Sequence, residues 1–351
     1  MNSKIPNAEF RMPNKGKVLR IIDANTNRAV EGLRVVEEIC RFILEDKKFS
    51  AEIKKLRGKL RKIVKEPGKL LKARRANEDP GRKLYTKNEG KRDKLEDIFA
   101  ANMKRVQEAV RCLEEFSKLL NPKHGKRFKK VRFQLYELEK RIALRLTRYS
   151  LLDFGLYVVT DPLRDHLEVA QKALAAGVKA IQLRDKTASK RQYFELARKI
   201  SRLAKKHGVT FIVNDYPDIA RRVDAAGVHL GQEDLAKLPI IKARKIMGQG
   251  KIIGVSTHSL AQAVKAEKAG ADYISCGPIF KTPSKPQGKP LGVNVLRKVL
   301  QSVKLPVVAI GGIDPANVEK IKKTGCQRFA VIRAVLGHRN FRRAIKTLLC
   351  A

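Results

Sequence analysis

Two aspartates, Asp215 and Asp234, stand at the ends of two successive predicted strands, in the segments 213–215 and 227–234. Mg²⁺ prefers one or two carboxylates together with waters and phosphate oxygens. Because carboxyl ends of neighbouring parallel strands meet at one edge, the two carboxylates are expected to lie close together. The spacing predicts a Mg²⁺ site, although Asn-Asp alone suits a turn and Asp234 alone suits a helix N-cap.

Cationic and amide side chains precede this pair. Gln182, Arg184 and Lys186 alternate at the end of the second predicted strand, so that period two places all three on one face, towards a barrel mouth. Arginine offers a fork and lysine a point charge, and both suit a polyanion such as a diphosphate. An ion pair between Arg184 and Asp185 at the rim is the alternative.

Small and hydroxyl-bearing residues follow the later strands. Ser256 ends the fifth run, the loop 282–285 follows the sixth, Gly311-Gly312 ends the seventh, and Ile332-Arg333 ends the eighth. Loops after strands seven and eight form the usual phosphate site of a (β/α)₈ barrel. His258 is left unassigned, because a lone histidine in a loop is more often not catalytic.

Eight short apolar runs alternate with amphipathic segments between residues 156 and 350, often with glycine after the helix-like stretch. This order predicts an α/β fold, a closed (β/α)₈ TIM barrel; a doubly wound open sheet is the alternative. The predicted strands are Tyr157–Thr160, Ala180–Arg184, Thr210–Asp215, Gly227–Gly231, Ile252–Ser256, Tyr273–Phe280, Pro306–Ile313 and Arg328–Val335.

The first half contains a polar repeat at helical spacing. Two blocks contain the same residue types, with one such residue at every third position, and the second block lies 77 positions after the first. The blocks are Asn25, Arg28, Glu31 and Arg34, and Asn102, Arg105, Glu108 and Arg111. The repeat predicts two equivalent helices in a bundle. Since steps of three slip by about 60° each, Asn25 and Arg34 point in opposite directions. One helix face is then partly buried and polar, as a structural network or as a binding site; both interpretations stay open.

The composition changes divide the chain into three parts. Residues 1–17 are expected to be disordered, residues 18–148 to form an all-α helical-bundle domain, and residues 149–351 to form the barrel. The polar segment 74–92 between the two repeats contains Asp-Pro-Gly and predicts a loop. Residues 126–148 predict a basic helix that leads into the barrel.

The formal charge of +42 raises the possibility of nucleic-acid binding. Residues 1–150 hold 41 Lys+Arg and 20 Asp+Glu, and residues 151–351 hold the remaining 36 and 15, so each half carries an excess of 21. This even spread, the 6% aromatic content and the absence of Trp argue against that class. The charge favours small phosphorylated substrates, with no nucleic acid, no membrane, and a homo-oligomer left open.

Five scattered cysteines with no CxxC pair indicate reduced thiols. Residues 1–17 contain no apolar core of a signal peptide, and no apolar run is long enough to span a membrane. A cytoplasmic location is expected.

Residues 156–350 resemble thiamine phosphate synthase over their whole length. The motifs QLRDK, FIVNDY, GVHLGQEDL, GVSTHS, CGPIFKTPSK and AIGGI occur in the order and spacing of that family. The resemblance implies that 4-amino-2-methyl-5-hydroxymethylpyrimidine diphosphate condenses with thiazole phosphate carboxylate to give thiamine phosphate and pyrophosphate. Ser284 stands where threonine is frequent, and Arg333 where a small residue can occur, so only the backbone contact is expected there.

The same resemblance implies a set of site residues. Mg²⁺ would be held by Asp215 and Asp234. The pyrimidine diphosphate would be held by Gln182, Leu183, Arg184, Asp185, Lys186, Asn214, Ser256 and Lys285, with Arg184, Lys186 and Lys285 catalytic through their charge. The thiazole phosphate would be held by Thr282, Pro283, Ser284, Gly312, Ile332 and Arg333.

The helical half resembles a domain fused to this synthase and associated with hydroxymethylpyrimidine-phosphate kinase activity, on the strength of the repeated N-x-x-R-x-x-E blocks. The resemblance implies ATP as a substrate and a bifunctional protein. No GxxxxGK[ST] loop occurs in residues 1–150. A purely structural or dimerising helical domain is therefore the competing class.

Overall fold

The structure, a computed structural model, describes residues 14–64, 66–80, 91–284, 289–336 and 340–350. The chain forms two compact units, one that ends at Leu146 and one that begins at Thr147. Within the described ranges, no helix has both the length and the apolar character needed to cross a membrane. Residues 1–13 of the expected disordered N-terminus lie outside the described residues.

The first unit is helical. Helix α1 begins at Lys15, three residues earlier than the sequence pattern suggests, because the Asn14 side chain accepts a hydrogen bond from the Gly16 N–H and caps it. A π-helical turn over Ile39–Ile43 ends α1, and short 3₁₀ turns lie at Ala76–Glu78 and Ser117–Leu119. The helices are α1 (Lys15–Glu38), α2 (Lys47–Ile63), α3 (Pro67–Ala73), α4 (Leu95–Phe116) and α5 (Pro122–Leu151), whose last residues enter the second unit.

The two repeat blocks lie on α1 and α4, as the constant offset predicts. These helices pack closely at Gly32, where an added Cβ would stand 2.7 Å from Val106 Cγ2 and 3.2 Å from the Asn102 carbonyl oxygen. The core between the helices is formed by aliphatic residues such as Ile22, Leu33 and Met103, all fully buried. Burial of this continuous apolar surface stabilises the bundle.

Eight parallel strands close a barrel in simple sequential order, with β1 paired to both β2 and β8. The TIM barrel is confirmed and the open sheet is wrong. The strands are β1 (Leu156–Val159), β2 (Ala180–Leu183), β3 (Thr210–Asn214), β4 (Gly227–Leu230), β5 (Ile252–Thr257), β6 (Tyr273–Cys276), β7 (Val307–Ile310) and β8 (Arg328–Val331).

Ten helices of the described chain surround the strands and bury their outward faces. They are α6 (His166–Ala175), α7 (Lys190–Lys206), α8 (Pro217–Arg222), α9 (Gln232–Lys237), α10 (Ile240–Met247), α11 (Leu260–Lys268), α12 (Gly292–Ser302), α13 (Val318–Lys322), α14 (Arg333–Leu336) and α15 (Phe341–Cys350).

Side chains alternate between the barrel interior and the helix layer, as the pleat requires. On β2, Ala180 belongs to the interior cluster, whereas Ile181 and Leu183 pack among the helices. Leu152 and Phe154, just before β1, pack on the interior cluster. They fill the barrel from the amino ends of the strands, which leaves the opposite mouth open for a site.

Strands β6, β7 and β8 are shorter than the apolar runs suggest, and each ends for a local reason. β6 stops at Cys276 because Pro278 has no N–H with which to continue a strand ladder. β7 stops at Ile310, before Gly311 and Gly312 with φ of +99° and +67°. β8 stops at Val331, since helix α14 begins two residues later. Apolar character therefore continues into the loops that line the mouth.

Candidate active site

A cavity of about 320 Å³ opens at the carboxyl ends of the strands. Residues from the ends of all eight strands or from the loops that follow them line its wall, so it occupies the place where barrel enzymes carry their chemistry. The residues expected from the sequence that line it are Gln182, Arg184, Lys186, Asn214, Asp215, Ser256, Thr282, Pro283, Ser284, Gly312, Ile332 and Arg333. Lys285 lies outside the described residues.

Leu183 is expected at the ligand but is not among the lining residues. Its side chain is fully buried in the layer between strands and helices, because it alternates with the inward-facing Gln182. Its carbonyl oxygen accepts a hydrogen bond from the Tyr193 hydroxyl at 2.6 Å, and that hydroxyl accepts from the Asn214 N–H at 3.0 Å. Leu183 thus helps to fix the ends of β2 and β3, and its side chain does not reach the cavity.

Asp185 also faces away from the cavity, and it does not form the rim ion pair with Arg184. Its Oδ2 lies 3.0 Å from His166 Nε2, and its Oδ1 accepts from the Thr187 N–H and hydroxyl, both at 2.7 Å, and from the Ala188 N–H at 3.0 Å. Burial raises the pKa of Asp185, but the hydrogen bonds from Thr187, Ala188 and His166 outweigh it and lower this pKa to about 2. Asp185 is an ionised structural acceptor.

Asp215 lines the cavity, and Asp234 stands behind it. Asp234 is the third residue of α9 rather than its N-cap, and its Oδ2 accepts from the Gly231 N–H at 2.9 Å. Burial raises the pKa of Asp215, and the hydrogen bond and charge of Asp234 raise it further, while Lys186 and Arg184 act in the opposite direction. The two carboxylates therefore lie in direct contact, which favours either a shared proton or a bound cation.

Positive charge lies close to these carboxylates, after the neighbouring strand β2. Arg184 is half-buried and Lys186 is exposed, and both lie just after β2 rather than within it. Lys281 also lines the cavity, between β6 and the hydroxyl-bearing loop, and was missed by the sequence reasoning. Its place immediately before Thr282 is the signal that could have found it.

The cavity floor is a hydrogen-bonded network that the sequence analysis also missed. His229 on β4 is buried, with Nδ1 2.9 Å from the Tyr273 hydroxyl and Nε2 2.9 Å from Ser256 Oγ. The Gln182 amide donates to the Tyr157 hydroxyl at 2.7 Å, and the Tyr157 and Tyr273 hydroxyls are 3.3 Å apart. The alternation of side chains along the strand segment GVHLG places His229 inside the barrel, and this pattern could have identified it as a cavity residue. The floor can orient a polar heterocycle.

His258, left unassigned, also lines the cavity. Its Nδ1 is 2.5 Å from the Gly277 carbonyl oxygen, and its backbone N–H donates to Gln262 Oε1 at 2.7 Å. The acceptor carbonyl requires a proton on Nδ1. The ring is therefore held against the loop that follows β6.

The loop after β7 brings backbone rather than side chains to the cavity. Gly311 and Gly312 both have positive φ, and a Cβ on Gly312 would stand 2.5 Å from the Lys281 carbonyl oxygen. The Asn317 side chain donates to the Gly312 carbonyl at 2.8 Å and fixes the turn. Only glycine permits this close approach of two loops.

Most of the repeat residues of the helical unit lie on its surface. Arg28, Glu31, Arg34, Arg105, Glu108 and Arg111 are exposed, whereas Asn25 is buried and Asn102 half-buried. The two asparagine side chains donate to carbonyls four residues earlier, Ile21 at 2.9 Å and Ile98 at 2.8 Å. The opposite orientation of Asn25 and Arg34 is as expected, but the arginines and glutamates do not line a buried face.

Two buried glutamates at equivalent repeat positions were missed as the centres of ion clusters. Glu37 contacts Arg57 of α2 and lies 3.8 Å from Arg34. Glu114 lies 2.8 Å from Arg132 of α5 and 3.0 Å from Arg111. Each cluster thus joins a repeat helix to the helix that follows it, and the repeated Glu-Glu pair was the available signal.

Eight closed parallel strands with carboxylates, cations and a Gly-Gly turn at their carboxyl ends define a (β/α)₈-barrel enzyme that acts on phosphorylated small molecules. The sequence profile described as thiamine monophosphate synthase matches residues 156–335. A thiamine-phosphate synthase from Gloeobacter violaceus is 41% identical over 319 residues, which cover 91% of this chain and 92% of that relative. The chain belongs to the thiamine-phosphate synthase family of transferases.

Further comparisons agree with both halves of the chain. A thiamine-phosphate synthase from a Synechocystis species is 39% identical over 332 residues and covers 95% of each chain. The structure of thiamine phosphate pyrophosphorylase from Pyrococcus furiosus shares 40% identity with a TM-score of 0.53, over 57% of this chain and 96% of that one. The profile of the ThiD2 family matches residues 20–141 and supports the resemblance to the kinase-type domain.

Proposed function

We propose that the barrel joins a pyrimidine methylene carbon to a thiazole nitrogen at the cavity described above. The C–O bond between that carbon and the diphosphate breaks, and its electron pair leaves with pyrophosphate. The thiazole nitrogen lone pair then forms the new C–N bond. The bond between the thiazole ring carbon and its carboxylate breaks to release CO₂, and the electron pair left on that carbon takes up a proton from water. The observation that carries this proposal is the meeting of Asp215, Arg184 and the Gly311-Gly312 turn in one cavity.

Charge neutralisation at the leaving group is the central task of such a reaction. Arg184 and Lys186 lie on the side of the cavity that contains Asp215, and we assign them to the diphosphate, together with Lys285 by family likeness. Guanidinium and ammonium groups bind phosphate oxygens more strongly as negative charge develops on them. Their contribution is therefore larger in the transition state than in the bound substrate.

The residues present fit a Mg²⁺ ion. The carboxylate of Asp234 raises the pKa of Asp215, and a divalent cation relieves this repulsion. Among the described residues no group of three or more His, Cys, Asp and Glu side chains is arranged to hold a metal. Two carboxylates are nonetheless what Mg²⁺ takes when phosphate oxygens and waters complete its shell. When bound there, Mg²⁺ supplies further charge neutralisation at the diphosphate.

The pyrimidine ring is assigned to the polar floor. Gln182, Asn214 and Ser256 line it, and Ser256 is fixed by its hydrogen bond to His229. Amide and hydroxyl groups can donate to ring nitrogens and accept from an amino group. This places the reacting methylene towards the cations and the carboxylates.

The thiazole phosphate is assigned to the opposite wall. Thr282 and Ser284 offer hydroxyls, and the turn at Gly312 offers backbone at close range. Ile332 and Arg333 lie in the loop after β8, the second loop of the usual phosphate site. Because one cavity holds both substrates, the thiazole nitrogen is aligned with the methylene carbon, and this alignment accelerates the reaction.

For the helical unit, the match of residues 20–141 to the ThiD2 family favours phosphorylation of the pyrimidine monophosphate by ATP. The terminal phosphoryl group of ATP is transferred to the monophosphate, which leaves ADP and the diphosphate that the barrel consumes. A structural or dimerising role is the competing proposal. The exposed Arg34 and Arg111, each held by neighbouring glutamates, are candidates for phosphate contacts.

A two-arm assay of the full chain tests both activities. One arm supplies the preformed pyrimidine diphosphate, thiazole phosphate carboxylate and Mg²⁺; the other replaces the diphosphate with the monophosphate and ATP. Thiamine phosphate in both arms supports both proposals. Product in the first arm alone contradicts the proposed kinase activity of the helical unit. No product in the first arm contradicts the proposed reaction of the barrel.

A further inference from the structure

A chain of buried polar groups lies beside the cavity but does not line it. Thr160 directly follows β1, His166 begins α6, and Asp185 lies beyond β2. Their exposed fractions are 0%, 6% and 9%. Burial of polar and ionised groups is costly unless each is paired, and here each is. These three buried residues do not line the cavity, so contact with a substrate does not explain why they are polar.

The contacts form a continuous path through the histidine ring. His166 Nε2 is 3.0 Å from Asp185 Oδ2, and His166 Nδ1 is 2.8 Å from Thr160 Oγ1. The Arg184 N–H donates to the same Thr160 Oγ1 at 3.1 Å. The path therefore begins at the backbone of Arg184 and returns to its neighbour Asp185.

The direction of each hydrogen bond follows from the partners. The ionised Asp185 can only accept, so Nε2 of His166 carries a proton and donates it. The Thr160 hydroxyl oxygen accepts from the Arg184 N–H, which leaves its own proton to be donated to Nδ1 of His166. A ring that donates from Nε2 and accepts at Nδ1 satisfies every group, and rotation of one group breaks the path.

The path and Asp185 together brace both ends of the segment 184–188. One end is held by Thr160, and the other by Asp185 Oδ1, which accepts from the Thr187 N–H and from the Ala188 N–H. Lys186 lies between these two ties. The segment therefore carries its two cations on a backbone fixed from below the cavity wall.

We infer that His166 is a positioning residue that, through Thr160 and Asp185, holds Arg184 and Lys186 where they bind a diphosphate. The inference rests on the proposed function of the barrel. His166 itself touches no substrate. A displacement of binding groups by about 1 Å is enough to weaken a reaction up to about 100-fold, so such a brace has a measurable effect.

Four variants of the full chain separate the brace from general packing. Thr160→Val keeps the shape and removes the hydroxyl, whereas Thr160→Ser keeps the hydroxyl. His166→Gln keeps a donor for Asp185 and loses the contact with Thr160. Ser201→Ala is the matched control, because Ser201 is a buried hydroxyl of α7 that donates to the Val223 carbonyl at 2.7 Å away from the cavity wall.

Binding of inorganic pyrophosphate in Mg²⁺ buffer is measured by calorimetry, together with KM for each substrate and the melting temperature. In Thr160→Val and His166→Gln, Kd for pyrophosphate and KM for the pyrimidine diphosphate should rise at least about tenfold. KM for the thiazole substrate should stay within about twofold, as should all constants of Thr160→Ser and Ser201→Ala. A variant that only loses stability lowers the active fraction and leaves KM unchanged.

Unchanged pyrophosphate affinity in both Thr160→Val and His166→Gln overturns the brace, and so does an equal loss in the Ser201→Ala control. A wild type that neither binds pyrophosphate nor forms thiamine phosphate overturns the proposed function and the brace with it. A working wild type with unaffected variants overturns the brace alone.

Discussion

The backbone N–H of Asp215 donates to the carbonyl of His229 at 2.9 Å, while Asp215 itself has a φ of +66°. This conformation turns the chain sharply at the end of β3 and brings the Asp215 carboxylate against Asp234. The same contact joins the end of β3 to the strand that carries the buried imidazole of the floor. One backbone turn therefore relates the proposed metal ligands to the pyrimidine pocket.

Asp215→Asn should reduce turnover by at least about 100-fold, because it removes one carboxylate from the proposed Mg²⁺ site. Asparagine tolerates a positive φ, so the backbone turn is kept. The melting temperature of the wild type should rise with added Mg²⁺ and pyrophosphate, and that of Asp215→Asn should not. Asp153→Asn, an exposed change in the same unit, serves as the control. Near-normal turnover of Asp215→Asn at limiting Mg²⁺ contradicts the metal assignment.

Gly312→Ala should raise KM for the thiazole substrate at least about tenfold, because its Cβ would stand 2.5 Å from the Lys281 carbonyl and displace a loop of the cavity. Gly270→Ala is the matched control. Gly270 also has a positive φ, +91°, but an added Cβ there meets nothing within 4 Å. Both variants place a side chain at a positive φ, but only Gly312→Ala creates a steric clash. A comparison of their steady-state kinetics and melting temperatures therefore separates the effect of the clash from that of backbone strain. Equal kinetic constants in the two variants are the contrary result.

Arg57→Met and Arg132→Met should each destabilise the helical unit by about 3–5 kcal/mol, because each leaves a buried glutamate without its main partner. The side chains of Glu37 and Glu114 are 6% and 5% exposed. Urea unfolding followed by circular dichroism gives the free energy of unfolding. A loss below about 1 kcal/mol in both variants shows that these pairs are not the main support of their glutamates.

Arg34→Met and Arg111→Met should change the free energy of unfolding by at most about 1 kcal/mol, since these side chains are 49% and 54% exposed. If the helical unit is a kinase, both variants should lose ATP-dependent phosphorylation of the pyrimidine monophosphate. Their reaction with preformed diphosphate should equal that of the wild type. Unaltered phosphorylation rates in both variants exclude these arginines from the kinase site.

A fragment that begins at Tyr149 should form thiamine phosphate from preformed pyrimidine diphosphate. Every described residue that lines the cavity lies at Tyr157 or later in the chain, and the fragment keeps Leu152 and Phe154, which fill the amino end of the barrel. Circular dichroism establishes folding, and chromatography of the product establishes activity. A folded fragment with no Mg²⁺-dependent product shows that the barrel needs the helical unit for its reaction.

The sequence by itself determined the barrel, its strand order and most of the cavity wall. Eight short apolar runs alternate with helix-like segments, often with glycine at the helix end, and each strand end in a TIM barrel faces the same mouth. Gln182, Asp215 and Gly312 could therefore be assigned to one site before any contact was known. The repeat in the first half likewise predicted two equivalent helices, α1 and α4.

Only the tertiary structure decided the direction and surroundings of individual side chains. Leu183 and Asp185 belong to the same motif as Arg184, yet they face the helix layer and the His166 path, because position along a strand decides the face. A repeat of polar residues at steps of three could not distinguish exposed ladders from a buried face. Burial depends on which helices pack against α1 and α4, and those contacts join residues distant in the chain, such as Glu114 and Arg132.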